Sequence, residues 1–152
     1  MGKYILSGGA TGIGAAIKTR LRAQQHEVIV IDLNKGDYCV DLGDPAARRD
    51  TLSQVKADHS EFDGLITCAG VASQGKILRI NYFGSIDMIE ALAGNICAGG
   101  RVVAISSNSA PMSTRPDLIE TLLSGDENAA VVIGDTTNGH ECSGALRAPQ
   151  GS

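Results

Sequence analysis

The chain has no C-x-x-C pair, no hydrophobic run of membrane-spanning length and no surplus of positive charge, and each absence removes a class of protein. Lys plus Arg number 13 against 17 Asp plus Glu, a net charge of -4. That balance argues against a nucleic-acid or anionic-membrane surface, because both require clustered cations. The four cysteines, Cys39, Cys68, Cys97 and Cys142, are scattered and read as free, buried thiols of a reducing compartment. Lys3 is followed by a short strand and glycines rather than a long apolar segment, so no signal peptide is expected and a cytoplasmic location is. The G-x-x-x-x-G-K-[ST] phosphate loop is missing, which argues against a nucleotide triphosphatase. His140, Glu141 and Cys142 stand together, but adjacent residues rarely all face one ion and no distant pair matches them, so no metal site is expected.

What the chain does have is 152 residues, the size of one domain, and 19 glycines that fall at apparent element junctions. Strand-like and helix-like stretches alternate. Tyr4–Leu6 reads as a strand, 12–25 as a helix with Ile13, Ala16, Ile17 and Leu21 on one face, and Val28–Ile31 as a strand buried on both faces. Cys39–Val40 reads as a short strand. Asp44 and Pro45 open a helix that runs to about Ala57, as N-cap and first helical residue. Gly64–Cys68 and Arg101–Ile105 read as further strands, with a long helix over about 75–96 between them. Asp117–Leu123 reads as a short helix. The run Ala129–Ile133 reads as a sixth parallel strand, carried back beside Arg101–Ile105 by that helix. This order predicts an α/β, Rossmann-type doubly wound parallel sheet, incomplete at its C-terminal side. We expect one dinucleotide-binding domain over 1–134 and an irregular tail over 135–152.

The chemistry concentrates in the first turn. Gly8, Gly12 and Gly14, in a G-x-x-x-G-x-G spacing, follow the first strand and open the first helix. Glycine there lets the backbone turn tightly and approach a pyrophosphate, which the helix N-terminus then binds through its free N–H groups. Asp32 lies twenty residues past Gly12 at the end of the second strand, where a carboxylate accepts hydrogen bonds from an adenosine ribose. The same carboxylate repels a 2′-phosphate, and the turn holds no Lys or Arg, so NAD is favoured over NADP.

These residues resemble the short-chain dehydrogenase/reductase family, within it the bacterial hydroxysteroid dehydrogenase/carbonyl reductase branch. "SGGATGIG" (Ser7–Gly14) is similar to the family's T-G-x-x-x-G-x-G motif, with Ser7 in place of Thr. Asp41–Leu42 resembles the "DL" pair whose aspartate contacts adenine. "TCAG" (Thr67–Gly70) resembles N-N-A-G with both asparagines replaced. "NYFG" (Asn81–Gly84) resembles the segment with the active-site asparagine, and "AISSNSA" (Ala104–Ala110) the one with the catalytic serine. The resemblance implies Asn81 and Ser107 as catalytic. It implies Ser7, Gly8, Thr11, Gly12, Ile13, Gly14, Asp32, Asp41, Leu42, Ala69 and Gly70 as NAD-binding, and an alcohol or carbonyl as substrate. It also implies a homo-oligomer packed through the helix at 75–96.

The family's tyrosine–lysine pair, Y-x-x-x-K after the serine, has no counterpart. The tyrosines are Tyr4, Tyr38 and Tyr82, and the last lysine is Lys76. In the family that tyrosine is the general acid/base and the lysine lowers its pKa. Two readings follow: an NAD-linked oxidoreductase in C-terminally truncated form with impaired catalysis, or a non-catalytic dinucleotide-binding or oligomerising module. The residues alone leave Cys68 between a cofactor contact and a small core residue, Asn81 between catalysis and a structural hydrogen bond, and Ser107 between catalysis and a strand-end cap.

Overall fold

The computed structural model describes residues 1–73, 75–107 and 115–136. Five parallel strands form one sheet in the order β3-β2-β1-β4-β5: β1 Lys3–Ser7, β2 Glu27–Asp32, β3 Tyr38–Cys39, β4 Phe62–Thr67 and β5 Ile96–Ala104. The order reverses between β1 and β4, so the chain leaves the two central strands in opposite directions and opens a crevice at their carboxyl ends.

Helices α1 (Gly12–Ala23) and α2 (Pro45–Asp58) follow β1 and β3. Asp44 caps α2 by accepting hydrogen bonds from the Ala46 and Ala47 N–H groups, with Pro45 at the first position. Buried strand residues alternate between two cores. Ile5, Ile29, Ile31 and Leu65 pack with Leu52, Val55, Met88 and Leu92. Leu6, Val28, Val30 and Ile66 pack under Ile17 and Leu21 of α1. This two-sided burial is why "VIVI" is continuously apolar.

At the outer strand β3, the Tyr38 hydroxyl donates to Asp58 at 2.7 Å and lies 3.1 Å from His59 Nε2. Burial, and then the Asp58 carboxylate, push its pKa up to about 12. A raised pKa favours the protonated phenol in the folded state, so this contribution is complete below pH 10 and is lost as pH rises towards 12. In a spectrophotometric titration, Tyr38→Phe should remove the most alkaline tyrosine ionisation.

The segment expected as one helix over 75–96 is three pieces. A π-helical turn covers Leu78–Phe83, helix α3 Gly84–Leu92 and a 3₁₀ turn Ala93–Asn95, and β5 already starts at Ile96. The π turn shifts the helical phase, which the apolar spacing of Ile86, Ile89 and Leu92 did not reveal.

The run Ala129–Ile133 is a helix, not a sixth strand. α4 (Pro116–Ser124) ends at Gly125, whose φ of 77° is the left-handed helix stop, and α5 (Glu127–Asp135) starts at once. The Asp126 carboxylate caps α5 by accepting from the Ala129 N–H at 2.9 Å. Five apolar residues fit either element, and the cap with two alanines decides for the helix. Ala130 and Gly134 are its buried side, four residues apart and so on one face of the helix. The α4–α5 hairpin seats Leu118, Leu122 and Ala130 on Ile77, Leu78 and Phe83, a third core that covers the π turn.

β5 is therefore the outer strand of the described sheet, with Val102 and Val103 exposed. No helix of the described residues is long and apolar enough to cross a membrane. Of the segment expected as a tail over 135–152, Asp135 ends α5, and residues 137–152, with His140, Glu141 and Cys142, lie outside the described residues.

Candidate functional site

The crevice at the carboxyl ends of β1, β2 and β4 is a cleft of about 390 Å³, within the usual size range of small-ligand sites. Its floor is the glycine turn. Gly8 has a φ of 74°, and a Cβ there would lie 2.6 Å from the Ala69 Cα. The turn thus passes directly against the end of β4, which only glycine permits. A Cβ on Gly14 would lie 1.9 Å from the Gly8 carbonyl oxygen, so the first turn of α1 is packed onto the loop that precedes it. Thr11 at the N-cap makes no side-chain cap and the first turn carries no acidic residue, which leaves the helix start suited to an anion.

Asp32, at the end of β2, accepts from the Ala10 N–H at 2.9 Å through Oδ2. One carboxylate oxygen thereby fixes the glycine turn, while the side chain still lines the cleft. Asp41 accepts from the Gly43 N–H at 2.8 Å, and Lys76 Nζ lies 3.3 Å from its other oxygen. The Gly43 N–H, and behind it the Lys76 ammonium, hold its pKa below the usual carboxylate value despite partial burial.

Ten of the eleven residues expected to hold the dinucleotide line this cleft: Gly8, Thr11, Gly12, Ile13, Gly14, Asp32, Asp41, Leu42, Ala69 and Gly70. Ser7 lies beneath it. Its hydroxyl is buried and accepts from the Cys68 and Ala69 N–H groups at 3.0 and 3.1 Å, bracketing β1 to the end of β4. Cys68 is in the wall and half-buried, and burial pushes its thiol pKa up.

Asn81 and Ser107 are not among the lining residues. Asn81 sits in the π turn. Its Oδ1 accepts from the Val71 N–H at 2.9 Å and its Nδ2 donates to the Val71 carbonyl at 3.0 Å, closing a two-point bracket on the segment after β4. Val71 lines the cleft, so Asn81 acts on the wall through this bracket. Losing both half-buried bonds in Asn81→Ala should lower stability by about 1–3 kcal/mol, read by urea unfolding. Ser107 is exposed, two residues past Ile105, which closes the cleft from the end of β5.

Sequence reasoning missed Arg48. Its side chain is 2% exposed, and its guanidinium meets four partners. Nε donates to Asp87 at 2.6 Å and Nη2 to Glu127 at 2.7 Å. Nη1 donates to the carbonyls of Leu42 at 2.6 Å and Arg79 at 3.3 Å. Both carboxylates favour its charged form against the penalty of burial, and the net shift of its pKa is upward. A signal was present: Arg48, Leu52 and Val55 are the buried residues of α2, at helical spacing, so the arginine stands in the core stripe.

A parallel sheet of order 3-2-1-4-5, with a glycine turn and a strand-end aspartate at its switch point, defines a Rossmann-type α/β domain. No protein-family model matches the chain. It is 33% identical over 114 residues to a 3-alpha-hydroxysteroid dehydrogenase/carbonyl reductase of Comamonas testosteroni, across 72% of this chain and 44% of that protein. It is 31% identical over 114 residues to a coniferyl-alcohol dehydrogenase of a Pseudomonas strain, across 69% of this chain and 44% of the relative. The structure of the 3-alpha-hydroxysteroid dehydrogenase from Pseudomonas sp. B-0831 complexed with NADH superimposes with a TM-score of 0.82 at 29% identity, over 95% of this chain and 66% of that one. A mutant Serratia marcescens short-chain dehydrogenase/reductase gives a TM-score of 0.62 at 25% identity, over 72% of this chain and 58% of its own. The chain belongs to the short-chain dehydrogenase/reductase family. It spans about half the length of the curated relatives it matches.

Proposed function

We propose that this chain binds NAD in the cleft at the switch point, as the cofactor-binding part of an oxidoreductase for an alcohol or carbonyl substrate. The observation that carries the reading is the convergence of the glycine turn, Asp32 and the Asp41–Leu42 pair on one cleft of fitting size. The cradle fits the group: Gly12 lines the cleft, has a φ of 55° and has no atom within 4 Å of where a Cβ would stand. In this reading the N–H groups at the start of α1 hold the pyrophosphate, Asp32 the adenosine ribose, and Asp41 and Leu42 the adenine. NAD, when bound, supplies a hydride acceptor. Ala69 and Gly70 complete the wall opposite Asp32, and Ser7 acts from below by fixing the end of β4. Ser107 orients the substrate oxygen.

The proton of that oxygen needs an acid/base, and this sequence offers no tyrosine or lysine after Ser107 to carry it. Binding without efficient turnover is the expected outcome for the chain as it stands. A non-catalytic dinucleotide-binding module is the second reading, favoured by that same missing pair.

Titration with NADH, followed by its fluorescence, tests the binding. Saturable binding is expected, with NADPH weaker by about tenfold, roughly one unit-charge repulsion in a solvated site. Asp32→Ala should narrow that gap. Equal affinity for both dinucleotides would remove Asp32 from the ribose site, and no binding of either would remove the proposal. Self-association through the 75–96 segment belongs to the same reading, and sedimentation equilibrium showing only monomer at micromolar concentration would exclude it.

A further inference from the structure

The buried Arg48 is unexplained by any of this. A fully buried arginine is expensive to desolvate, and its four partners come from separate parts of the chain. Leu42 belongs to the loop before α2, Arg79 to the π turn, Asp87 to α3 and Glu127 to the first turn of α5. One of the four lines the cleft and a second adjoins a lining residue. Leu42 lines it directly, and Arg79 precedes Ile80, which lines it too.

We infer that Arg48 is a positioning residue for the cleft, and that Glu127 of α5, by engaging Arg48 and Arg79 together, makes the shape of the adenine-side wall depend on the docked α4–α5 hairpin. The inference rests on the reading of the cleft as a dinucleotide site. Glu127 is the pivot. Oε2 accepts from Arg48 Nη2 at 2.7 Å and Oε1 from Arg79 Nη1 at 3.1 Å, so one carboxylate orients two guanidinium groups. With Nη2 held by Glu127 and Nε by Asp87, the planar fork leaves Nη1 one direction, towards the Leu42 and Arg79 carbonyls. The Leu42 carbonyl fixes the Asp41–Leu42 wall. The π turn fixes Ile80, and through Asn81 the Val71 backbone on the facing wall. The apolar seat of Leu118, Leu122 and Ala130 on Ile77, Leu78 and Phe83 keeps Glu127 in reach. Both walls therefore trace to one guanidinium, and its orientation traces to a helix outside the cleft.

Glu127→Gln separates this role from simple stability. A glutamine keeps one acceptor oxygen but turns an NH₂ towards one of the two arginines, so the orientation is lost while volume is kept. Arg48→Lys keeps the charge and loses the fork, and serves if the first variant fails to fold. Phe62→Leu, at the start of β4 far from the cleft, is the destabilised control. Two readouts apply to the full chain: hydrogen–deuterium exchange without ligand, and NADH titration well below the melting temperature. In Glu127→Gln and Arg48→Lys, amides of 41–44 and 69–72 should exchange faster by about tenfold, and the NADH dissociation constant should rise about fivefold or more. Phe62→Leu should leave both unchanged. Wild-type exchange at those segments in both variants, or equal effects in Phe62→Leu, would overturn the inference. Failure of the wild type to bind NADH would instead overturn the dinucleotide reading, with the exchange data still deciding the coupling.

Discussion

Gly14→Ala abolishes NADH binding and lowers stability together: this is the expected result of adding a single methyl group. The new Cβ would lie 1.9 Å from the Gly8 carbonyl oxygen and 2.8 Å from its carbon, both backbone atoms that no rotamer change can move. To reach van der Waals contact, α1 must lift off the glycine turn by an ångström or more. Overpacking of this kind costs about 1–3 kcal/mol of stability. The loss in binding is larger, because the lifted helix takes its first-turn N–H groups away from the pyrophosphate position. A hundredfold loss in affinity corresponds to about 2.7 kcal/mol and is the minimum expected. Gly12→Ala is the contrast: its Cβ meets no atom within 4 Å, and the strain is confined to a φ of 55°. That variant should lose about 1 kcal/mol of stability and keep the α1 packing. Thermal unfolding and NADH titration of both variants check the pair. Gly14→Ala binding like the wild type would mean that the turn is only a connection.

Arg48→Met is the second large effect, and it acts on the fold. Methionine fills much of the volume, yet it leaves the Leu42 carbonyl and Asp87 without this donor and Glu127 with Arg79 alone. Removing one partner of a buried ion pair costs about 3–5 kcal/mol, a large fraction of the roughly 5–15 kcal/mol that holds a domain together. At about 2–4 °C per kcal/mol for a chain of this size, the melting temperature should fall by roughly 6–20 °C. Glu127 is 15% exposed and Asp87 37%, so Glu127 accounts for more of the loss. Replacing Asp87 by Asn should therefore be milder than Arg48→Met in the same unfolding experiment. A melting temperature unchanged by Arg48→Met would show that the network contributes nothing net.

The cleft was legible because its determinants are local. Gly8, Gly12 and Gly14 report backbone conformation, and Asp32 reports the end of a strand, so short spacings place them all. Arg48 was not legible, because its role depends on Glu127 and Asp87, 79 and 39 residues away. Its place in the buried stripe with Leu52 and Val55 was the one available sign, and an adjacent arginine at 49 disguised it as surface. Ala129–Ile133 was misread as a strand because five apolar residues carry no period, and the deciding feature, the Asp126 cap, lies outside the run. The π turn that carries Asn81 has no sequence signal of its own, so the bracket on Val71 could be recognised only from the fold. Ser7 shows the opposite limit: it stands at the motif's first position in the sequence, but its hydroxyl faces the end of β4 beneath the cleft.

The distance along the chain between Arg48 and Glu127 also sets an order of events during synthesis. A ribosome delivers β1 to β5 and the whole cleft lining before it delivers α5. Until residue 127 emerges, the guanidinium of Arg48 has Asp87 but lacks the second carboxylate that orients it, and its hold on the Leu42 carbonyl is less constrained. The nascent sheet can therefore assemble early, while, on the proposed coupling, the adenine-side wall takes its final shape only after a short helix made at a distance reaches back to the arginine.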